Sequence, residues 1–225
     1  MLQSEFSQGA FSFPKRQNFL YEDFIFLPEN SKAVKILESF FAQKSFSSSK
    51  LQSLVIKGEK ASGKTHLLHI FAKKNEAKFL DKSEINKENL VKILQKNQFY
   101  ILENIDEIKD DELLFHLINS AFEAGAFIIF SLQKFDEFKL KDLVSRLKNI
   151  FICEIENLEK SSIKPLVMNF LARRQIKLSA AIINFISQNC DANYAAVLDA
   201  INKVEDFCHK NKGEILLKNL KEILS

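Results

Sequence analysis

The sequence has no tryptophan, three prolines, three cysteines, five glycines and a single threonine. Several of these scarcities exclude something. Cys153, Cys190 and Cys208 are far apart and show no metal-ligand spacing, so packing is their expected role and a reducing cytosol the expected setting. The four histidines show no ligand pairing either; His66 and His69 stand three residues apart. No run approaches the ~18 apolar residues of a membrane span, and the N-terminus lacks the apolar core of a secretory leader. A soluble cytoplasmic chain is expected. Net charge is only +3, too mild to imply a strong nucleic-acid or membrane field. Arginine is scarce beside lysine, which makes Arg16, Arg146, Arg173 and Arg174 informative.

What is present is globular. A chain of 225 residues with 46% hydrophobic and 27% charged content suits one large domain or two small ones with a real core. Two of its five glycines and its only threonine fall in residues 54–70, LVIKGEKASGKTHLLHI. This stretch reads as a buried strand, a loop and a helix starting near Lys64. Gly58, Gly63, Lys64 and Thr65 fit Gly-x-x-x-x-Gly-Lys-Thr, the phosphate-cradling loop of nucleoside triphosphatases. Glycine lets backbone N–H groups curl around phosphate oxygens, and the helix N-terminus adds partial positive charge. Lys64 would reach the β- and γ-phosphates, and the Thr65 hydroxyl would hold Mg²⁺. Ser62 and His66 complete the expected nucleotide-binding set. A mere glycine-bearing turn is the bland alternative, disfavoured by the flanking strand and helix.

Around this unit the pattern alternates. Residues 21–27 read as extended, and Ser31 as the cap of a helix over 32–43. Short strands are expected at 77–80, 99–102, 126–130 and 150–153. Helices are expected at 86–96, 112–123 and 140–147. From residue 160 no strand signal remains, and helices are expected at 162–174, 179–189, 193–210 and 214–224. The fold class is therefore α/β: a five-stranded parallel sheet over residues 21–156, then a small all-helical part over 157–225, behind a flexible segment 1–20. That first segment is either a plain tail or a linear motif in which Gln8, Phe11 and Phe13 plug a pocket on a partner.

A nucleoside triphosphatase needs a carboxylate ending a strand beside the phosphate-loop strand. Glu103, after FYIL, takes that place; a surface acid is the alternative. Asn104 stands where a second acid would activate water, and an amide is a poor base. Asp106 and Glu107 are a weaker register for that work. Ser131 ends the strand AFIIF, where a polar group could sense the γ-phosphate or attacking water. Arg146, on a short helix, either projects as a finger to a neighbouring subunit's γ-phosphate or pairs with Asp142 four residues back. Arg173 and Arg174 end a helix, where cations suit the dipole, and read as structural or surface groups.

This order of parts resembles the AAA+ family, specifically the DnaA initiator group. YEDFIFLPENSKAV is similar to that group's opening segment, which lies against adenine. KGEKASGKTHLLHI resembles its phosphate loop, LENIDEI its acid-ended strand, DLVSRL its arginine-finger box and DANYAAVLDAINKV its second-sensor helix. The resemblance covers about residues 8–224. The helix-turn-helix DNA-binding domain of a full initiator is absent, so no specific DNA contact is expected. That points to the short paralogue group called Hda, the regulatory inactivator of DnaA. It implies ATP or ADP with Mg²⁺ as cofactors, the sliding clamp as a partner through Gln8, Phe11 and Phe13, and DnaA as a second partner whose ATP hydrolysis Arg146 provokes in trans. A homo-oligomer is compatible with such a finger. Two departures stand out: Ala195 replaces the second-sensor arginine, and Glu103-Asn104 replaces two aspartates. Weak or no intrinsic ATPase is expected. An AAA+ loader or scaffold that recruits a replication protein or helicase is the alternative within this architecture, and a small-molecule P-loop enzyme a third.

Overall fold

The structure, a computed structural model, describes residues 19–42, 52–211 and 220. The expected helix over 214–224 and the Gln8, Phe11 and Phe13 motif lie outside this set. Among the described residues no helix is long and apolar enough to cross a membrane.

Five strands, β1 (Ser53–Lys57), β2 (Lys78–Phe79), β3 (Phe99–Leu102), β4 (Phe127–Leu132) and β5 (Phe151–Glu154), form one parallel sheet in the order β2-β3-β4-β1-β5. The acid-ended strand β3 is therefore not beside β1, as the sequence suggested; β4 stands between them. Apolar run length identifies a strand but says nothing about its neighbour.

The side chains of β1 and β4 leave the sheet alternately, so each strand feeds two cores. Leu54, Ile56, Phe127 and Ile129 join one; Val55, Ile128, Phe130 and Leu132 join the other, all fully buried. Strands buried on both faces need continuous apolar runs, which FIIF supplies. The first core is closed by α1 (Pro28–Phe41) and α2 (Lys64–Asn75), the second by α3 (Leu90–Ile93), α4 (Asp111–Ala124) and α5 (Lys141–Asn149).

Helix ends follow local chemistry. Asp110 Oδ1 accepts from Leu113 N at 2.9 Å, opening α4, and Gly125 closes it at φ 68. Helix α1 starts earlier than expected, because Pro28 occupies its first position, where a missing N–H costs nothing. Ser31 is inside the helix, donating to Pro28 O, and the cap is instead Leu27, whose N–H reaches Asn30 Oδ1. Helix α3 keeps only four residues of the span expected over 86–96. There the Asn86 and Asn89 amides bond to nearby backbone N–H groups and compete with the helix.

After β5, helices α6 (Lys160–Arg173), α7 (Ala180–Asn189) and α8 (Tyr194–Asn211) pack together and extend the first core through Leu166, Val167, Ile186, Val197 and Ile201. Arg174 stitches them: it donates to Glu205 Oε2 and Asn202 Oδ1, each at 2.8 Å. Arg174 and Glu205 are 19% and 15% exposed, so Arg174→Ala would take the guanidinium away from a mostly buried carboxylate. We expect a stability loss of about 2 kcal/mol, below the fully buried case because of that residual exposure. Urea denaturation of the variant checks this; a midpoint unchanged from wild type would refute it.

Candidate functional site

The loop between β1 and α2 is shaped by its two glycines. Gly63 has φ 91, a left-handed conformation that a side chain would strain. At Gly58 an added Cβ would meet Ser62 Oγ at 2.8 Å and Ile155 Cβ at 3.2 Å, so packing alone demands glycine. Ala61 is also left-handed, at φ 64, a strain of about 1 kcal/mol of the kind found at working sites. Lys64 is 6% exposed; its ammonium donates to Gly58 O at 2.6 Å and Glu59 O at 2.8 Å. Burial pushes its pKa down, against the pull of the Asp106, Glu103 and Glu59 carboxylates. A cation held at the mouth of a helix N-terminus and deprived of water is a strong anion partner.

A cavity of about 420 Å³ opens over this loop. Lys60, Ala61, Ser62, Gly63, Lys64, Thr65 and His66 form its floor. Phe19, Asp23, Phe24 and Leu27 from the opening segment, Leu166, Phe170, Arg173 and Tyr194 from the last helices, and Glu107 and Gln133 past the strand ends complete the lining. Aromatic and apolar side chains thus share the cavity with the loop backbone and with charged groups. That mixture matches a nucleotide, and the volume is of ligand size. The His66 ring is pinned by Nε2 to Leu20 O at 2.9 Å and meets Phe24 edge-on at 5.4 Å. Burial pushes its pKa down. Arg173 reaches across to Asp23 at 3.5 Å and so links the last helices to the opening segment. That ion pair suits the structural role expected for Arg173; its place in the cavity lining was not foreseen, because only tertiary packing brings it there.

The other sequence-derived residues are distributed around this cavity. Gly58 lines a second one of about 700 Å³, with Glu59, Lys60, Lys134 and Ala195. Ala195 therefore does stand on the phosphate-loop side, without a charge to offer. Glu103 lines neither; it faces a third cavity with His69, Asp81 and Lys82, and its Oε1 is buried without a partner. An orphaned carboxylate oxygen this close to the buried lysine fits a divalent cation or its waters. Ser131 lies inside β4 rather than at its end, is fully buried, and accepts from Asn104 N through Oγ at 2.9 Å. It holds the end of β3, one step back from the ligand space. Gln133, two residues on and just past the end of β4, lines both the first and second cavities. Its position beyond a buried strand end was the available signal.

Asn104 has φ 48 and ψ 54, a left-handed backbone that asparagine tolerates better than most residues. The chain then turns through a 3₁₀ turn, Ile105–Glu107, that brings Asp106 back toward Lys64. Arg146 is exposed and does not line the cavity of its own chain. Its partners are on α4: it donates to Asn119 Oδ1 and lies 5.8 Å over the Phe115 ring. The ion pair with Asp142 is not the contact it makes. Cys153 is fully buried, and burial pushes its thiol up to about 12, as suits an unreactive packing residue.

No protein-family model matches the sequence, and a search of curated proteins returns no match. Solved structures do match. Domain III of the Thermotoga maritima replication initiation protein DnaA superposes with a TM-score of 0.72 at 20% identity, over 94% of this chain and 98% of that one. The fold is that of an AAA+ P-loop NTPase. AMPPCP-bound DnaA from Aquifex aeolicus matches at 0.61 and 19% identity, over 82% of this chain and 64% of that one. The Thermotoga maritima RuvB Holliday junction branch migration motor matches at 0.67 and 16%, over 91% and 70%. At such identities the likeness speaks for architecture alone.

Proposed function

We propose that this chain is an adenine-nucleotide-binding regulator of replication initiation that acts in the cytoplasm on DnaA. The observation that carries the reading is the cavity built on Lys64, with aromatic side chains in its lining for a base and a caged ammonium for phosphates. Phe24 and Phe170 would take the base, and the loop from Lys60 to Thr65 the phosphates. Thr65 and Glu103 would hold Mg²⁺, directly or through its waters, and the ion would supply neutralisation of phosphate charge. With Asn104 and Ala195 where an acid and an arginine would act, intrinsic turnover is weak and the nucleotide sets conformation. Arg146, outside its own cavity, is directed at the nucleotide of DnaA in trans. Clamp binding through Gln8, Phe11 and Phe13 belongs to the same proposal.

The test is hydrolysis by ATP-loaded DnaA in the presence of clamp, DNA and this chain. Wild type accelerates it, and Arg146→Ala loses at least about tenfold of the acceleration, a conservative share of what arginine fingers contribute elsewhere. Equal rates for the two proteins would exclude the finger. No acceleration by either would leave the loader or scaffold reading, in which a helicase or replication protein is recruited instead.

A further inference from the structure

His66 and His69 stand one turn apart on α2, and both are occupied with the opening segment. His66 Nε2 and the backbone N–H of Asp23 donate to the same Leu20 oxygen, at 2.9 and 3.1 Å, which fills the lone pairs of that carbonyl. His69 takes the preceding residue: its ring and that of Phe19 lie with centroids 4.2 Å apart and planes inclined by 33°. His69 is itself held twice. Its Nδ1 is 2.9 Å from Thr65 O, and a carbonyl can only accept, so Nδ1 carries the proton. Phe79 of β2 stacks on the same imidazole at 4.3 Å. The ring is therefore a fixed platform that reaches from the sheet to the opening segment.

Phe19, which rests on this platform, lines the nucleotide-sized cavity. His69 does not; it borders the third cavity with Glu103. Phe19 belongs to no helix or strand, so no backbone ladder keeps it in the lining. Ring contacts do that work, and His69 at 4.2 Å is nearer than His66 at 5.4 Å. We propose that His69 is a positioning residue of the nucleotide site, which acts through Phe19 by holding that ring in the lining that receives the base. This rests on the nucleotide reading above. A ligand whose site is assembled only part of the time loses affinity in proportion to the unassembled share, and an aromatic pair shifts such an equilibrium by up to about tenfold. The bond to Thr65 O gives the phosphate-loop helix and the base side of the cavity one common support.

The experiment uses the full chain and two variants. His69→Ala removes the platform, whereas His69→Phe keeps a ring for Phe19 and Phe79 but has no N–H for Thr65 O. Titration calorimetry in Mg²⁺ measures affinity for ADP and for inorganic pyrophosphate, which offers phosphates without a base. His69→Ala weakens ADP binding about fivefold to tenfold and leaves pyrophosphate binding unchanged, while His69→Phe stays within about twofold of wild type for both ligands. Three results would each overturn the role of His69 and leave the nucleotide reading standing on wild-type ADP binding. They are ADP affinity unchanged in His69→Ala, equal losses for ADP and pyrophosphate in that variant, and His69→Phe as weak for ADP as His69→Ala. A wild-type chain that binds neither ligand overturns both.

Discussion

Lys64→Ala is expected to lower nucleotide affinity by about 100-fold or more, the loss of two hydrogen bonds from a charged donor. The size follows from where the ammonium stands. It is buried, so the medium around it screens little, and it already spans the start of the loop through Gly58 O and Glu59 O. Alanine would take that donor from Gly58 O and leave Glu59 O only the Ser62 N–H at 3.3 Å. It would also remove the cation on which the Asp106 and Glu103 carboxylates pull, leaving the neighbourhood of the loop more negative toward an incoming anion. Titration calorimetry with ADP and ATP measures it, alongside circular dichroism to show that the fold persists. Wild-type affinity in the variant would mean that ligands bind elsewhere.

The largest expected effect on stability is at Phe127. Its ring is fully buried, stacks on Phe99 with centroids 4.7 Å apart, and meets Phe40 edge-on at 6.0 Å. Phe127→Ala is expected to cost about 3–5 kcal/mol, from lost burial plus the cavity left among rings that cannot all collapse into it. For a chain of this size that lowers Tm by about 10 °C. Phe122, a similar side chain on the same connection but 67% exposed, serves as the comparison, with Phe122→Ala within about 0.5 kcal/mol of wild type. Urea midpoints with unchanged slopes test both at once. Equal losses at the two positions would contradict the assignment of the core.

What could be read from the chain beforehand was what depends on local pattern. FYIL and FIIF announce buried strands because both faces of each are covered, and Asp110 and Gly125 mark helix ends because their chemistry acts within one turn. The phosphate loop was legible for the same reason: its glycines serve the backbone they belong to. Features assembled across the chain were not. The order of the strands, the place of Arg173 in the cavity lining and the position of Gln133 between two cavities depend on segments far apart in sequence. The bond from Gln133 N–H to Asp106 was not legible either, because a register counted along a straight strand fails where Asn104 turns left-handed. Helix α3 was overestimated because apolar spacing alone ignores the competing amides of Asn86 and Asn89.

The placement of β1 has a consequence for how the molecule comes into being. Val55 pairs with Phe130 on one side and Ile152 on the other, and with nothing nearer in sequence. As the polypeptide leaves the ribosome, the strand that carries the phosphate loop therefore waits unpaired until β4 has emerged, and keeps one open edge until β5 follows. Closing such long loops is entropically slow, and an apolar strand left open is a hazard for aggregation. Ligand cannot template the early steps, since its cradle does not yet exist. Nucleotide in a refolding mixture should thus raise the final yield by retaining finished molecules, and leave the initial rate of folding unchanged.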